Sequence, residues 1–131
     1  MDIAKKFGTD KVKEEEGIWV HLGDGAEILV ARLNNKSYVA AIKRLTTPHK
    51  VAMRNKSLPE EVTFDITIKA MAEAVLLGWK GLQENGKNLI YSREAAERLL
   101  KDYPDFREQI AGIAADMENF RAETEAATEK N

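Results

Sequence analysis

Ile18-Trp19-Val20-His21-Leu22 and Ala26-Glu27-Ile28-Leu29-Val30-Ala31-Arg32-Leu33 are β-rich runs separated by Gly23-Asp24-Gly25. A tight turn between strands demands positive φ, and Gly and Asp supply it, so residues 18–33 read as a hairpin. Ile18, Val20 and Leu22, and again Ile28 and Val30, alternate with other residues and so share a face. An isolated hairpin is marginal in water. This one must pack on the segments that follow, and those carry helical periodicity. The expected class is therefore mainly α, a small helical domain with an N-terminal β-hairpin.

The helical segments can be placed in order. Asn34 or Asn35 caps a helix beginning near Lys36, and Tyr38, Ala41, Ile42 and Leu45 fall on one of its faces. Pro48 disfavours helix at Thr47, so a break is expected there, with a short helical piece over 48–55. Pro59, Glu60 and Glu61 open a longer helix in the way a first turn favours. Phe64, Ile68, Met71 and Val75 make one apolar stripe on it and Val62, Ile66, Ala70 and Leu77 another, as in a helix buried from more than one side. Gly78 or Gly81 is expected to end it. Asn85-Gly86 is a turn, Leu89-Ile90-Tyr91 is extended, and Ser92 caps a helix from Arg93 to about Lys101. Pro104 starts the last helix. There Phe106, Ile110, Ile113, Met117 and Phe120 form a continuous apolar seam.

At 131 residues the chain fits one domain. Its expected extent is 17–121, between a weakly structured charged arm over 1–16, which Ile3, Ala4 and Phe7 can dock, and a fraying Ala/Glu/Thr-rich tail over 122–131. There are no cysteines, as expected of a chain folding in a reducing compartment. No apolar run approaches the length of a membrane span. Net charge is −2, but residues 32–59 hold seven Lys/Arg and no acid, between acidic ends. Such a block suits charge-guided contact with a partner or with another copy.

The groups that an enzyme must bring together are scarce. His21 and His49 are the only histidines and lack metal-ligand spacing. Gly23-Asp24-Gly25 is too short for a dinucleotide fingerprint, and Gly78-Trp79-Lys80-Gly81 is not a phosphate loop. Glu14-Glu15-Glu16 is a run of neighbours that do not converge on one point. No catalytic residue, metal or cofactor is expected. Nucleic-acid binding through the basic segment 32–56 is a rival reading, disfavoured by a pI near 5.8 and by aromatics that do not interleave with the charges.

One stretch resembles a known family. Ala74-Val75-Leu76-Leu77-Gly78-Trp79-Lys80-Gly81-Leu82, then Asn85-Gly86-Lys87, then Tyr91-Ser92-Arg93-Glu94-Ala95-Ala96 is similar to the tail assembly chaperones of long-tailed, siphophage-type bacteriophages. Leu99, Leu100, Phe106 and Phe120 continue the order of features, and the front hairpin is also found in some members. The likeness runs from about residue 5 to 121 and rests on order and spacing. Within it Trp79, Gly81, Tyr91 and Ser92 mark the family and are expected to serve folding.

The resemblance implies a non-catalytic protein that coats the long helical tape measure protein, with the tail tube protein as a further partner, during tail assembly. It implies residence in the host cytoplasm during infection and absence from the finished virion. Self-association is a further expectation; membrane contact is not. Candidate contact residues are Arg32, Lys36, Lys43, Arg44, Lys50 and Arg54 in the basic segment, and Phe106, Ile110, Ile113, Met117 and Phe120 on the last helix. A minor structural protein kept in the virion tail is the alternative.

Overall fold

The computed structural model describes residues 1–122. The hairpin forms as expected, with β1 over Ile18–Gly23 and β2 over Ala26–Val30. Its turn residues Asp24 and Gly25 both have positive φ, at 51° and 77°, the combination a tight two-residue turn requires. Ile28 lies opposite Val20, and Val30 opposite Ile18, so the alternating apolar residues share the inner face.

A third strand, β3 over Leu76–Lys80, pairs antiparallel with β2 on its other side, with Trp79 opposite Ile28 and Gly78 opposite Leu29. This corrects the expectation that the central helix continues to Gly78 or Gly81. That helix, α5, spans Glu60–Ala74 and ends at Val75. The physical reason is the open edge of β2. Extending the chain there satisfies backbone groups that a longer helix would leave unpaired, and Ala31 N donates to Val75 O at 2.8 Å as part of the same junction. Gly78 lies beside Leu29 and the Trp19 ring in this strand, with ordinary contact distances for a Cβ.

The remaining elements are helices and a small arm. The N-terminal helices are α1 over Ile3–Phe7 and α2 over Lys11–Glu16. Then come α3 over Lys36–Thr46, a 3₁₀ turn over Thr47–His49 and α4 over Lys50–Arg54. Strands β4 (Gln83–Glu84) and β5 (Lys87–Asn88) form a two-stranded arm around the Asn85-Gly86 turn. Helices α6 over Arg93–Asp102 and α7 over Pro104–Ala115 follow. The core lies between the inner face of the sheet and α5, α6 and α7, centred on Ile28, Val30, Ile68, Leu76, Leu100 and Ile110, all without exposure.

Two further expectations are corrected. Residues 1–16, expected to be weakly structured, carry the two short helices α1 and α2, which Asp2 and Asp10 cap through their carboxylates. Ile3 and Phe7 nevertheless stay 71% and 50% exposed, so that apolar cluster does not seat. The last helix stops at Ala115 rather than running to 121. Asp116 takes an extended conformation and its side chain accepts from Glu118 N, starting a 3₁₀ turn over Met117–Phe120. A short acid that can bond a nearby amide competes with helix continuation in this way. Phe120 still reaches the core, and its carbonyl accepts from Asp10 N at 2.8 Å, tying the two ends of the fold together. The expected tail lies outside the described residues beyond Ala122.

Candidate functional site

Trp79, Gly81, Tyr91 and Ser92 form one scaffold. Trp79 Nε1 donates to Leu89 O at 2.9 Å, and its ring meets that of Tyr91 edge-on, centroids 4.9 Å apart. Tyr91 Oη donates to Leu76 O at 2.8 Å, and burial pushes its phenol pKa up. Ser92 Oγ accepts from Ala95 N at 2.9 Å, capping α6. Gly81 has φ of +68°, and a Cβ there would stand 2.4 Å from Gly25 O. Together these contacts fix β3, the β4–β5 arm and the start of α6 relative to one another.

Between that arm and the α6–α7 corner lies an open groove of about 480 Å³. Leu82, Leu89, Leu99 and Phe106 give it an apolar lining, and Glu84 and Asp105 supply its charged groups, with no basic residue among the lining. Glu84 is clamped by Arg98, at 2.8 and 3.2 Å, and by Tyr103 Oη. The Arg98 bonds first, and then the Tyr103 bond, hold the Glu84 carboxyl below the usual carboxylate range. The same contact raises the Tyr103 phenol. Arg98 also meets Asp102 at 3.7 Å, so its single charge is divided between two acids, while Asp105 has no ion-pair partner among the described residues.

The basic segment is sorted by the structure into engaged and free groups. Arg32 pairs with Glu14 at 3.5 Å. Arg44 Nη2 donates to both carboxylate oxygens of Glu73, at 2.7 and 2.9 Å, and Arg93 shares that carboxylate. Glu15 accepts from Lys36 N and Ser37 Oγ. Lys36, Lys43, Lys50, Arg54 and Lys56 are exposed, with no carboxylate partner among the described residues. Around α4 the apolar side chains Val51 and Met53 are also exposed, at 68% and 47%. An apolar and basic surface thus covers α4.

The seam on the last helix divides differently. Ile110 and Phe120 have no exposure, while Phe106, Ile113 and Met117 are half-buried. Only Phe106 opens onto the groove. The groove, the arm strands and the unpaired Asp105 were not among the residues singled out from the sequence. The one local signal for them was the Asn85-Gly86 turn. His21 lies on the outer face of the sheet, 3.3 Å from Glu27, and Lys80 Nζ sits 4.2 Å from the centroid of the exposed Trp19 ring. Among the described residues no group of three or more His, Asp or Glu could hold a metal ion. Among them, too, no helix is long and apolar enough to cross a membrane.

A model of the YdaY prophage protein family matches residues 33–131, about three quarters of the chain. The chain belongs to that family. It is a phage protein, and the scaffold, the groove and the surface of α4 all lie within the part shared with the YdaY family, whereas the hairpin precedes it. No curated protein and no solved structure matches the chain.

Proposed function

We propose that this YdaY-family protein is a tail assembly chaperone that binds the tape measure protein, and also the tail tube protein, during tail morphogenesis. It acts by surface contact without catalysis. The observation that carries this reading is the pairing of an open, apolar-lined groove with a separate apolar and basic surface on one small phage protein. An open apolar-lined groove, and exposed apolar side chains grouped on a short helix, are surfaces on which another chain can dock. The order of Trp79, Gly81, Asn85-Gly86, Tyr91 and Ser92, which resembles the siphophage chaperones, points the same way. On this reading the free cations Lys36, Lys43, Lys50 and Arg54 steer the client, and the apolar side chains beside them hold it. Contacts rimmed by exposed charge are screened by salt, so release is easy, as suits a protein that leaves before the tail is finished.

The test is a pull-down of the phage's tape measure protein at low and high salt. Capture at low salt, weakened at high salt and by Lys43→Glu with Lys50→Glu and Arg54→Glu, supports the proposal. Failure to capture the tape measure protein at either salt overturns it. The five exposed cations without a carboxylate partner among the described residues favour nucleic-acid binding as a second reading, which a gel shift with a salt titration separates from the first.

A further inference from the structure

We infer that copies of this chain associate head-to-tail, the basic surface of α4 on one copy seating at the groove between the β4–β5 arm and the α6–α7 corner of the next. In α4, Lys50 and Arg54 are four residues apart and share a face. Both are exposed, Ala52 opposite them is half-buried, and Val51 and Met53 flank the cations on either side. The result is a basic ridge with apolar shoulders. The groove has the converse composition. Its lining is Leu82, Leu89, Leu99 and Phe106, with Glu84 and Asp105 among the lining and no cation. Counting Asp102, the Arg98 that Glu84 and Asp102 share, and Lys87 opposite Glu84 across the arm, the groove's mouth keeps an excess of one negative charge.

Charge complementarity therefore selects a ridge of this composition as the occupant, and every copy carries one. The two surfaces share no residue, so one copy can offer its ridge to one neighbour and its groove to another. A contact between two different patches is heterologous, and repeating it builds an open chain of subunits rather than a closed pair. Its small area and exposed charges make it weak and salt-sensitive. The inference concerns the chain alone and does not depend on the identity of the client.

Sedimentation of the purified protein over a concentration series tests it. The expected result is a mass that rises past the dimer at low salt and falls back to the monomer at high salt. Lys50→Gln with Arg54→Gln removes the charge of the ridge and Asp105→Lys spoils the groove; each variant alone is expected to sediment as a monomer. Mixed, they are expected to form a 1:1 dimer and nothing larger, because only one ridge and one groove remain intact. Circular dichroism melts verify that each variant is folded, and Met53→Asp serves as an independent ridge variant. A monomer at every concentration of the unaltered protein overturns the inference, as does a closed dimer. Unchanged association of either ridge variant, or a mixture that stays monomeric, also overturns it.

Discussion

Asn35 Nδ2 donates to the carbonyl of Ala74 at 2.8 Å, joining the start of α3 to the last residue of α5 across 39 positions of chain. The same side chain accepts from Tyr38 N at 2.9 Å as the helix cap and donates to Arg32 O at 2.7 Å. It is the one buried polar residue among those described. Asn35→Ala removes a cap and strands a buried carbonyl, so it should lower unfolding stability by about 2–3 kcal/mol. Asn35→Asp keeps the cap acceptor but sets a carboxylate against two carbonyls, and should be at least as damaging. Urea melts of both variants check this; a harmless Asn35→Asp would mean that the bond to Ala74 contributes little.

Gly81 is held where β3 passes the hairpin turn, with positive φ and no room for a Cβ beside Gly25 O. Gly81→Ala should cost roughly 2–3 kcal/mol, from the left-handed conformation and the backbone clash together. Gly86→Ala also meets positive φ but has open space, so it should cost only about 1 kcal/mol. Thermal melts of the pair separate strain from crowding.

The break at Asp116 divides the apolar seam, and Phe120 is reached by a 3₁₀ turn rather than by helix. Phe120→Ala should destabilise by about 3–5 kcal/mol, since a fully buried ring is lost. Met117→Ala, at a half-buried position, should cost much less. Similar losses at the two sites would contradict the packing described.

The clamp on Glu84 sets a pH window for the arm. The Arg98 and Tyr103 bonds depress the Glu84 pKa relative to the unfolded chain. The clamp is therefore fully present above about pH 4.3, the ordinary glutamate value, and is lost as pH falls through the lower folded value. Tyr103 is raised, chiefly by its bond to Glu84. Its contribution is complete below about pH 10 and is lost as pH rises through the higher folded value. Amide protection at residues 83–89, the exchange rate relative to its intrinsic value at each pH, should fall at both extremes, and Arg98→Ala should lower it throughout. Protection that is flat with pH in the unaltered protein would contradict the clamp.

How much of this was legible depended on range in sequence. The hairpin, a cap at Asn34 or Asn35, the Ser92 cap and the Asn85-Gly86 turn are set by neighbouring residues, and local chemistry reveals them; the fold selects Asn35. Strand β3 was hidden because Leu76-Leu77-Gly78-Trp79 suits a helix end as well as a strand, and only the free edge of β2 decides between them. The charge density of residues 1–16 hides their two short helices, whose local signal is Asp2 and Asp10 at capping positions. The groove is the least legible feature. Its walls come from the β4–β5 arm, α6 and α7, and their meeting is a tertiary fact.

Client binding through these surfaces is tested most directly by the soluble yield of the tape measure protein expressed with and without this chain. A large rise in soluble tape measure protein with the unaltered chain, lost when Lys43, Lys50 and Arg54 are replaced by Glu, is the predicted result. An equal yield with and without the chain would contradict it.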